Sequence, residues 1–252
     1  MAVHLKVLLV GLVLAVPVQA AQCVAESGPG TAALVELYTS EGCSSCPPAD
    51  RWLASLGKRH AAGSVVPLEL HVDYWDYIGW KDPHAKREFS LRQRKLTQLQ
   101  RMAFVYTPQV LLQGRDFRGW GTRAFEEAVA RINAQPAKAS IRLELLGLDA
   151  QGADVQVGAE LLQRQDDAAL YLAVYESKLR SRVNAGENRG RILDHDYVVL
   201  EWQGPIAITS RVAERRRLPL LPGAAAANSG VAAFVQDRRT GDVLQALMRS
   251  AC

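Results

Sequence analysis

The chain has 252 residues, 48% of them hydrophobic, which is enough apolar material for one large core or two modest ones. Its formal net charge of +4 is spread along the sequence, and the tightest basic cluster is only Arg215-Arg216-Arg217. So short a cluster is typical of a solvated face, and we do not expect a nucleic-acid-binding protein.

The first twenty residues have the pattern of an export signal. Lys6 and the amino terminus supply positive charge, residues 7–18 are apolar, and Val18-Gln19-Ala20 has the form of a small-residue cleavage site. This apolar run is shorter than the roughly 20 residues that a membrane-spanning helix needs. The sequence therefore predicts a signal peptide at residues 1–20 and a periplasmic or secreted protein without a membrane span after cleavage.

Strand and helix signals alternate in the next part of the chain, residues 31–135. Strand signals lie at 32–39, 65–72, 109–113 and 116–120, and helical spacing at 51–60, 85–103 and 122–133. Thr122 is a candidate N-cap for the last helix, and Pro136 ends it. This order predicts a mixed sheet with helices on its faces.

The pattern changes after Pro136. Short apolar runs alternate with Gly, Asn and Asp, and no run has the length of a helix. These runs lie at residues 141–145, 155–161, 170–175, 197–202, 231–235 and 243–248. They predict an all-β, sandwich-like domain at residues 139–252, with a boundary near residues 134–139.

Four cysteines are present, and four cysteines allow three pairings. Disulfides persist outside the cytoplasm. Cys23 and Cys252 lie at the two ends of the predicted mature chain, whereas Cys43 and Cys46 are three residues apart. The economical pairing is a structural clasp, Cys23–Cys252, with a local pair, Cys43–Cys46.

The local pair lies in TSEGCSSCPPAD, residues 39–50, between a strand and a helix. If the helix begins at Cys43, its N-terminus favours the thiolate form of that cysteine. If it begins at Pro47, both cysteines precede the helix and this effect weakens. Glu41 also opposes thiolate formation, so we do not expect a strongly oxidising couple. Cys43 is the predicted attacking thiol and Cys46 the resolving thiol.

Three segments, VELYTSEGCSSCPPAD, HVDYWDYIGWKDP and VYTPQV, together resemble an exported bacterial family catalogued as domain of unknown function 1223. The resemblance implies a thioredoxin-like fold for residues 31–135 but no substrate. It implies that Pro108 is a cis-proline lying against the disulfide, so that the backbone at Thr107 can pair with an extended substrate. It also implies that Glu36 is a proton relay for Cys46; the alternative is an ion pair between Glu36 and an arginine.

The segment HVDYWDYIGWKDPH is aromatic and acidic. One interpretation is a substrate-facing loop in which Trp75 and Tyr77 contact the partner. A second is a copper or zinc site formed by Cys43, Cys46 and His71. A third is that His71 is a satisfied strand residue.

A second polar segment, NRGRILDHDYVV at residues 188–199, is typical of a hairpin turn with a solvated flank. The alternative is that Arg189, Arg191 and His195 face the first domain or bind an anion. We prefer the hairpin.

These observations predict an exported thiol–disulfide oxidoreductase whose partner is a protein thiol or disulfide, with no bound cofactor. Two alternatives remain. One is an exported metal-binding protein, and the other is a non-catalytic binding module in which Cys43–Cys46 is a permanent staple.

Overall fold

The computed structural model describes residues 23–220 and 223–252, so the predicted signal peptide at residues 1–20 lies outside the described residues. The α-helices are Pro47–Arg59, Arg87–Leu99 and Arg123–Asn133 (α1–α3). A 3-10 helix follows the third strand at Asp73–Ile78. The strands are, in chain order, Val24–Glu26, Ala33–Thr39, Val65–His71, Gln109–Leu112, Arg115–Asp116, Ala139–Asp149, Gly152–Leu161, Ala168–Glu176, Leu179–Arg182, Ile192–His195, Val198–Ile208, Arg211–Pro219, Ser229–Asp237 and Val243–Ser250 (β1–β14).

Helix boundaries follow local chemistry. Helix α1 begins with Pro47 and Pro48, which are tolerated because the first turn of a helix has no intrahelical partner for their missing N–H groups. Its start at Pro47 selects the second of the two alternatives above, in which both cysteines precede the helix. Helix α3 is capped as predicted, because the hydroxyl of Thr122 accepts a hydrogen bond from the backbone N–H of Ala124 at 3.3 Å.

Strands from both halves of the chain form one eight-stranded sheet, in the order β14-β13-β8-β11-β3-β2-β4-β5. The halves meet where β11 pairs in parallel with β3, with Val198 opposite Glu69. The backbone N–H of Glu69 donates to the carbonyl of Tyr197 at 2.8 Å. The boundary expected near residues 134–139 thus separates two halves that share a sheet.

Layers cover both faces of this sheet. One face packs against α2, and a core on that side includes Tyr38, Phe89 and Phe234, so it extends over both halves. The other face is covered by α1 and α3 in the first half. In the second half it is covered by a four-stranded sheet, β1-β6-β7-β12, which buries its own apolar core. The fold is mixed α/β, rich in sheet and with few helices.

A buried ion pair lies in the core beneath α2. Glu36 on β2 is fully buried and accepts from Arg92 of α2, at 2.6 Å from Nε and 3.1 Å from the guanidinium NH2 group. The guanidinium lies 4.6 Å from the ring centroid of Trp202, and the same NH2 group donates to Gln236 at 3.1 Å. Burial opposes the charge on Arg92, but Glu36 outweighs it and raises the pKa of Arg92. Glu36 therefore has the arginine partner that the sequence offered as the alternative to a proton relay.

Replacing this carboxylate should destabilise the whole fold. Glu36→Gln leaves the guanidinium of Arg92 buried without its counter-charge, and breaking one side of a buried pair costs about 3–5 kcal/mol of unfolding free energy. Urea denaturation measures this loss.

The matched control is Glu26→Gln, because Glu26 forms an ion pair with Arg142 at the surface, where such pairs contribute little. A Glu36→Gln protein as stable as the Glu26→Gln control would contradict the structural role assigned to the buried pair.

Candidate functional site

The paired cysteines lie in the loop that joins β2 to α1. Cys43 and Cys46 form a disulfide with their Cα atoms 5.5 Å apart, and Cys23 and Cys252 form a second with a separation of 6.0 Å. Both predicted pairings are formed. The loop is closed by hydrogen bonds from the N–H of Cys43 to the carbonyl of Ser40 (3.1 Å) and from the N–H of Cys46 to the carbonyl of Cys43 (3.2 Å).

The local disulfide is shielded from solvent. Cys43 is 1% exposed and Cys46 is fully buried. Cys46 occupies the N-cap position of α1, so it lies closer than Cys43 to the positive end of the helix dipole. A reagent can reach either sulfur only if the covering residues move.

The cover comes from the loop between β9 and β10, residues 183–191. The side-chain amide of Asn188, which is fully buried, donates to the carbonyls of Glu41 (2.9 Å) and Cys43 (2.8 Å). The carboxylate of Glu187 accepts from the backbone N–H (2.9 Å) and hydroxyl (2.7 Å) of Ser44, and these bonds lower the pKa of Glu187. The loop is therefore pinned directly onto the cysteine loop.

The hairpin predicted for this segment is confirmed, since β9 and β10 pair in antiparallel fashion. The prediction that the flank of the turn is solvated is wrong for Asn188 and His195, which are buried against the first half of the chain. Arg191 donates to the side-chain oxygen of Asn188 at 3.1 Å, and Arg189 is exposed.

The residues predicted to bind substrate lie together beside the cysteine loop. The indole N–H of Trp75 donates to the hydroxyl of Thr107 at 2.7 Å, and Trp75 stacks with Tyr77 at a ring separation of 6.4 Å. The Thr107–Pro108 bond is cis, as predicted. A Cβ placed on Gly42 would lie 3.5 Å from the Cβ of Trp75, so this cluster packs against the cysteine loop. Tyr77 itself is 82% exposed.

A buried network of histidines and carboxylates lies below the disulfide loop. One carboxylate oxygen of Glu69, Oε1, is 3.0 Å from His71 Nε2 and 2.7 Å from His195 Nδ1. The second nitrogen of His71 is 2.8 Å from Asp82, whose other contacts include the backbone N–H of Glu41 at 2.8 Å. His195 Nε2 lies 3.4 Å from Glu41 Oε1, an ion-pair separation that is too long for a good hydrogen bond.

The pKa values of the network are set by competition between burial and charge. Burial favours neutral Glu69, but the charges and hydrogen bonds of His195 and His71 together outweigh it and lower the pKa of Glu69 to about 2. Burial favours neutral His195, but Glu69 outweighs it and raises the pKa of His195 to about 10. The carboxylate of Asp82 likewise overcomes burial and raises the pKa of His71. Burial, followed by the charge of His71, lowers the pKa of His84 to about 4.

Asp50 is a further buried acid, in the first turn of α1. Its backbone N–H donates to the carbonyl of Cys46 at 3.1 Å, and its carboxyl accepts from the hydroxyl of Thr39 at 2.7 Å. Burial, followed by the negative charge of Glu69, raises the pKa of Asp50 to about 7. Asp50 is therefore in the first turn of the helix that Cys46 caps, whereas Glu36 is on the face of β2 that packs against α2.

Two sets of residues carry donor atoms that suit a metal ion. Cys43 and Cys46, two members of the predicted set, are engaged in a disulfide. The donor atoms of Glu69, His71 and His195 lie within 4.8 Å of one another, and these residues could hold an ion. Glu69 was not singled out from the sequence, and His195 was offered there only as a residue that faces the first domain or binds an anion. A single acid in an otherwise apolar strand, VVPLELHV, was the signal that could have identified Glu69.

Comparisons with known proteins identify a family and similar solved structures. A family model described as "Protein of unknown function (DUF1223)" matches residues 34–236. A structural-genomics crystal structure of an Agrobacterium tumefaciens protein is similar, with a TM-score of 0.65 and 25% identity, over 89% of this chain and 96% of that one. HBP35 of Porphyromonas gingivalis is similar in fold, with a TM-score of 0.68 and 14% identity, over 89% of this chain and 76% of that one. No curated protein matches the chain.

Removing the amide of Asn188 should make the disulfide easier to reach. Asn188→Ala deletes both bonds that hold the hairpin loop to Glu41 and Cys43. We expect a small thiol to reduce Cys43–Cys46 about tenfold faster, since a net loss of about 1.4 kcal/mol is modest for two hydrogen bonds. Timed alkylation followed by mass analysis measures the rate.

The matched control is Asn133→Ala, because Asn133 also donates to two backbone carbonyls, those of Thr31 and Ser64, both at 2.9 Å. Equal reduction rates in the Asn188→Ala and Asn133→Ala proteins would show that the loop does not control access.

The raised pKa of Asp50 predicts a specific pH dependence of stability. Between about pH 4 and pH 7, Asp50 is protonated in the folded protein and ionised in the unfolded chain, so its contribution to stability falls as pH rises. The slope approaches about 1.4 kcal/mol per pH unit. The Asp50→Asn protein lacks this pH-dependent contribution. Its stability relative to wild type should therefore rise as pH increases across that range.

Urea denaturation at several pH values measures the difference. Asp166→Asn, at an exposed site beside Arg239, serves as the control and should follow the wild-type curve. Parallel curves of stability against pH for wild type and Asp50→Asn would contradict the raised pKa of Asp50.

Proposed function

The chain belongs to the family described as "Protein of unknown function (DUF1223)", and we propose that it is an exported thiol–disulfide oxidoreductase with a thioredoxin-like first half. The observation that carries the proposal is the Cys43–Cys46 disulfide in the loop between a central strand and the helix that follows it. A redox pair at such a junction is close to a helix N-terminus, which stabilises the thiolate released on reduction.

The neighbouring surface supports a protein as the partner. Thr107, Trp75 and Tyr77 form a contiguous aromatic and polar cluster beside the cysteine loop. Phe104 is 64% exposed, and its ring centroid lies 6.4 Å from that of Tyr106. It extends the aromatic surface along the chain segment that leads to Thr107. An exposed aromatic surface next to a reactive bond is suited to hold a segment of another protein.

The proposed reaction is a two-step exchange. Once the loop at residues 183–191 moves away from the cysteine loop, a thiolate of the partner attacks the sulfur of Cys43, a mixed disulfide forms, and the Cys43–Cys46 bond breaks to release Cys46 as a thiolate. A second thiolate of the partner then attacks the partner sulfur that is bonded to Cys43, which closes a disulfide in the partner and releases Cys43. In this direction two electrons pass from the partner to the protein, and two protons from the partner's thiols end on Cys43 and Cys46. In the reverse direction Cys43 attacks a disulfide of the partner and Cys46 resolves the mixed disulfide.

Asp50 is the group that we assign to the proton on Cys46. It is buried, adjoins Cys46 through a backbone hydrogen bond, and has a pKa of about 7, so it can accept and return a proton near neutral pH. Glu36 was the acid expected from the resemblance; its carboxylate is held by Arg92, and we therefore favour Asp50 for this role.

Export is part of the proposal. It is supported by the signal-peptide pattern at residues 1–20 and by two closed disulfides, which persist outside the cytoplasm. Among the described residues, none of the helices is both long enough and apolar enough to cross a membrane.

Redox titration distinguishes a working couple from a staple. The mature chain is equilibrated in glutathione buffers, its thiols are alkylated, and each cysteine pair is quantified by mass analysis. We expect Cys43–Cys46 to open at a potential near that of the glutathione system, about −180 to −260 mV.

A Cys23→Ser/Cys252→Ser protein provides the control, because it contains only the local pair. Resistance of Cys43–Cys46 to potentials below about −300 mV would identify a structural staple and refute the proposal.

A further inference from the structure

Three fully buried side chains from two halves of the protein converge on one point. Glu69 and His71 are two residues apart on β3 and face the same side of the sheet, while His195 is on β10 of the second half. The ring nitrogens of both histidines lie within 3.0 Å of the same oxygen of Glu69. Their donor atoms are all within 4.8 Å of one another.

The charge in this cluster is unusual for a protein interior. Glu41, Glu69 and Asp82 are all buried, and among the described residues each ion pair of these carboxylates is with a histidine. No lysine or arginine among the described residues forms an ion pair with these three carboxylates. Buried carboxylates need a matching positive charge, and here it must come from protons on His71 and His195 or from a bound cation.

The cluster contains buried polar atoms that lack a close hydrogen bond. Glu69 Oε2 is buried and has no hydrogen-bond partner. Glu41 Oε1 and His195 Nε2 are also buried without a close hydrogen bond, and they face each other at 3.4 Å. Each of the three belongs to a side chain that is at least nine-tenths buried. Native proteins rarely leave several buried polar atoms unpaired at one point.

Outer carboxylates are present on both histidines. Asp82 holds the Nδ1 side of His71 at 2.8 Å, which leaves Nε2 directed at Glu69. Glu41 lies 3.4 Å from Nε2 of His195, whose Nδ1 is directed at Glu69. Histidines that bind metals typically donate their second N–H to a carboxylate. The contact of His71 with Asp82 is such a hydrogen bond, and Glu41 lies on the corresponding side of His195.

We propose that Glu69, His71 and His195 form a site for a divalent transition-metal ion of the zinc class, with Asp82 and Glu41 as its outer carboxylates. Two imidazole nitrogens and one carboxylate oxygen are a donor set that suits Zn²⁺. One divalent ion carries the same charge as the two histidine protons that it replaces, so the network stays balanced. The site uses neither Cys43 nor Cys46 and is independent of the proposed redox function.

Zinc itself is the probe. The mature protein, with both disulfides closed so that no thiol can bind, is freed of metal with a chelator. It is then loaded in two ways, as the folded protein and by refolding from denaturant with the disulfides intact. Isothermal titration measures affinity, elemental analysis after gel filtration gives stoichiometry, and X-ray absorption at the zinc edge identifies the ligand atoms.

We expect one tightly bound equivalent by at least one route, with nitrogen and oxygen ligands and without sulfur. Asp82→Asn, which removes only an outer carboxylate, should weaken binding about 10- to 100-fold, and Glu69→Gln should weaken it more. His60→Gln is the matched control, because His60 contacts Glu126 away from this cluster and its replacement should leave affinity unchanged.

The X-ray absorption spectrum of the zinc-loaded wild-type protein identifies the ligand atoms without any variant, so the test remains decisive if a variant fails to fold. Failure of both loading routes, a spectrum that contains sulfur, or an unchanged affinity in folded Glu69→Gln would overturn the proposal. None of these results bears on the redox potential of Cys43–Cys46, so the two proposals fail separately.

Discussion

The burial of Glu69 is the constraint on which the rest of the site depends. This carboxylate lies on β3, at the position where β3 pairs with β11 of the second half, and it has no access to solvent. Because an unpaired buried charge is costly, Glu69 requires partners, and the two that contact it come from different halves: His71 from its own strand and His195 from β10. The ionic network therefore forms only when the halves are packed together.

The cover of the disulfide follows from the same contact. His195 ends β10, and the loop that precedes this strand places Asn188 on the carbonyls of Glu41 and Cys43. Glu41 in turn receives the indole N–H of Trp80 at 2.8 Å, which connects the cysteine loop to the segment after the 3-10 helix. The second half thus supplies the cover of the cysteine pair as well as one side of the sheet. On the opposite face of the sheet, the pair of Glu36 and Arg92 provides a second link, because Arg92 also contacts Trp202 and Gln236.

The sequence was informative where local physics decides the structure. The spacing of apolar residues predicted the three helices and most strands, and the cysteine positions predicted both disulfides. Long-range packing decided the rest. The contact between Glu69 and His195 joins residues 126 positions apart, and no periodicity reports such a contact. Glu36 and Glu69 gave the same signal, one acid in an apolar strand. Strand alternation directs them to opposite faces, where one meets Arg92 and the other meets histidines.

The two halves share a sheet and a core, and we expect them to unfold as one unit with the site at their junction. Native-state hydrogen exchange, measured at increasing denaturant, tests it directly by comparing amides of β2 and β3 with amides of β8 and β11. We expect these four strands to open together, with one free energy and one dependence on denaturant. Exchange of β2 and β3 at a clearly lower free energy, while β8 and β11 stay protected, would contradict it.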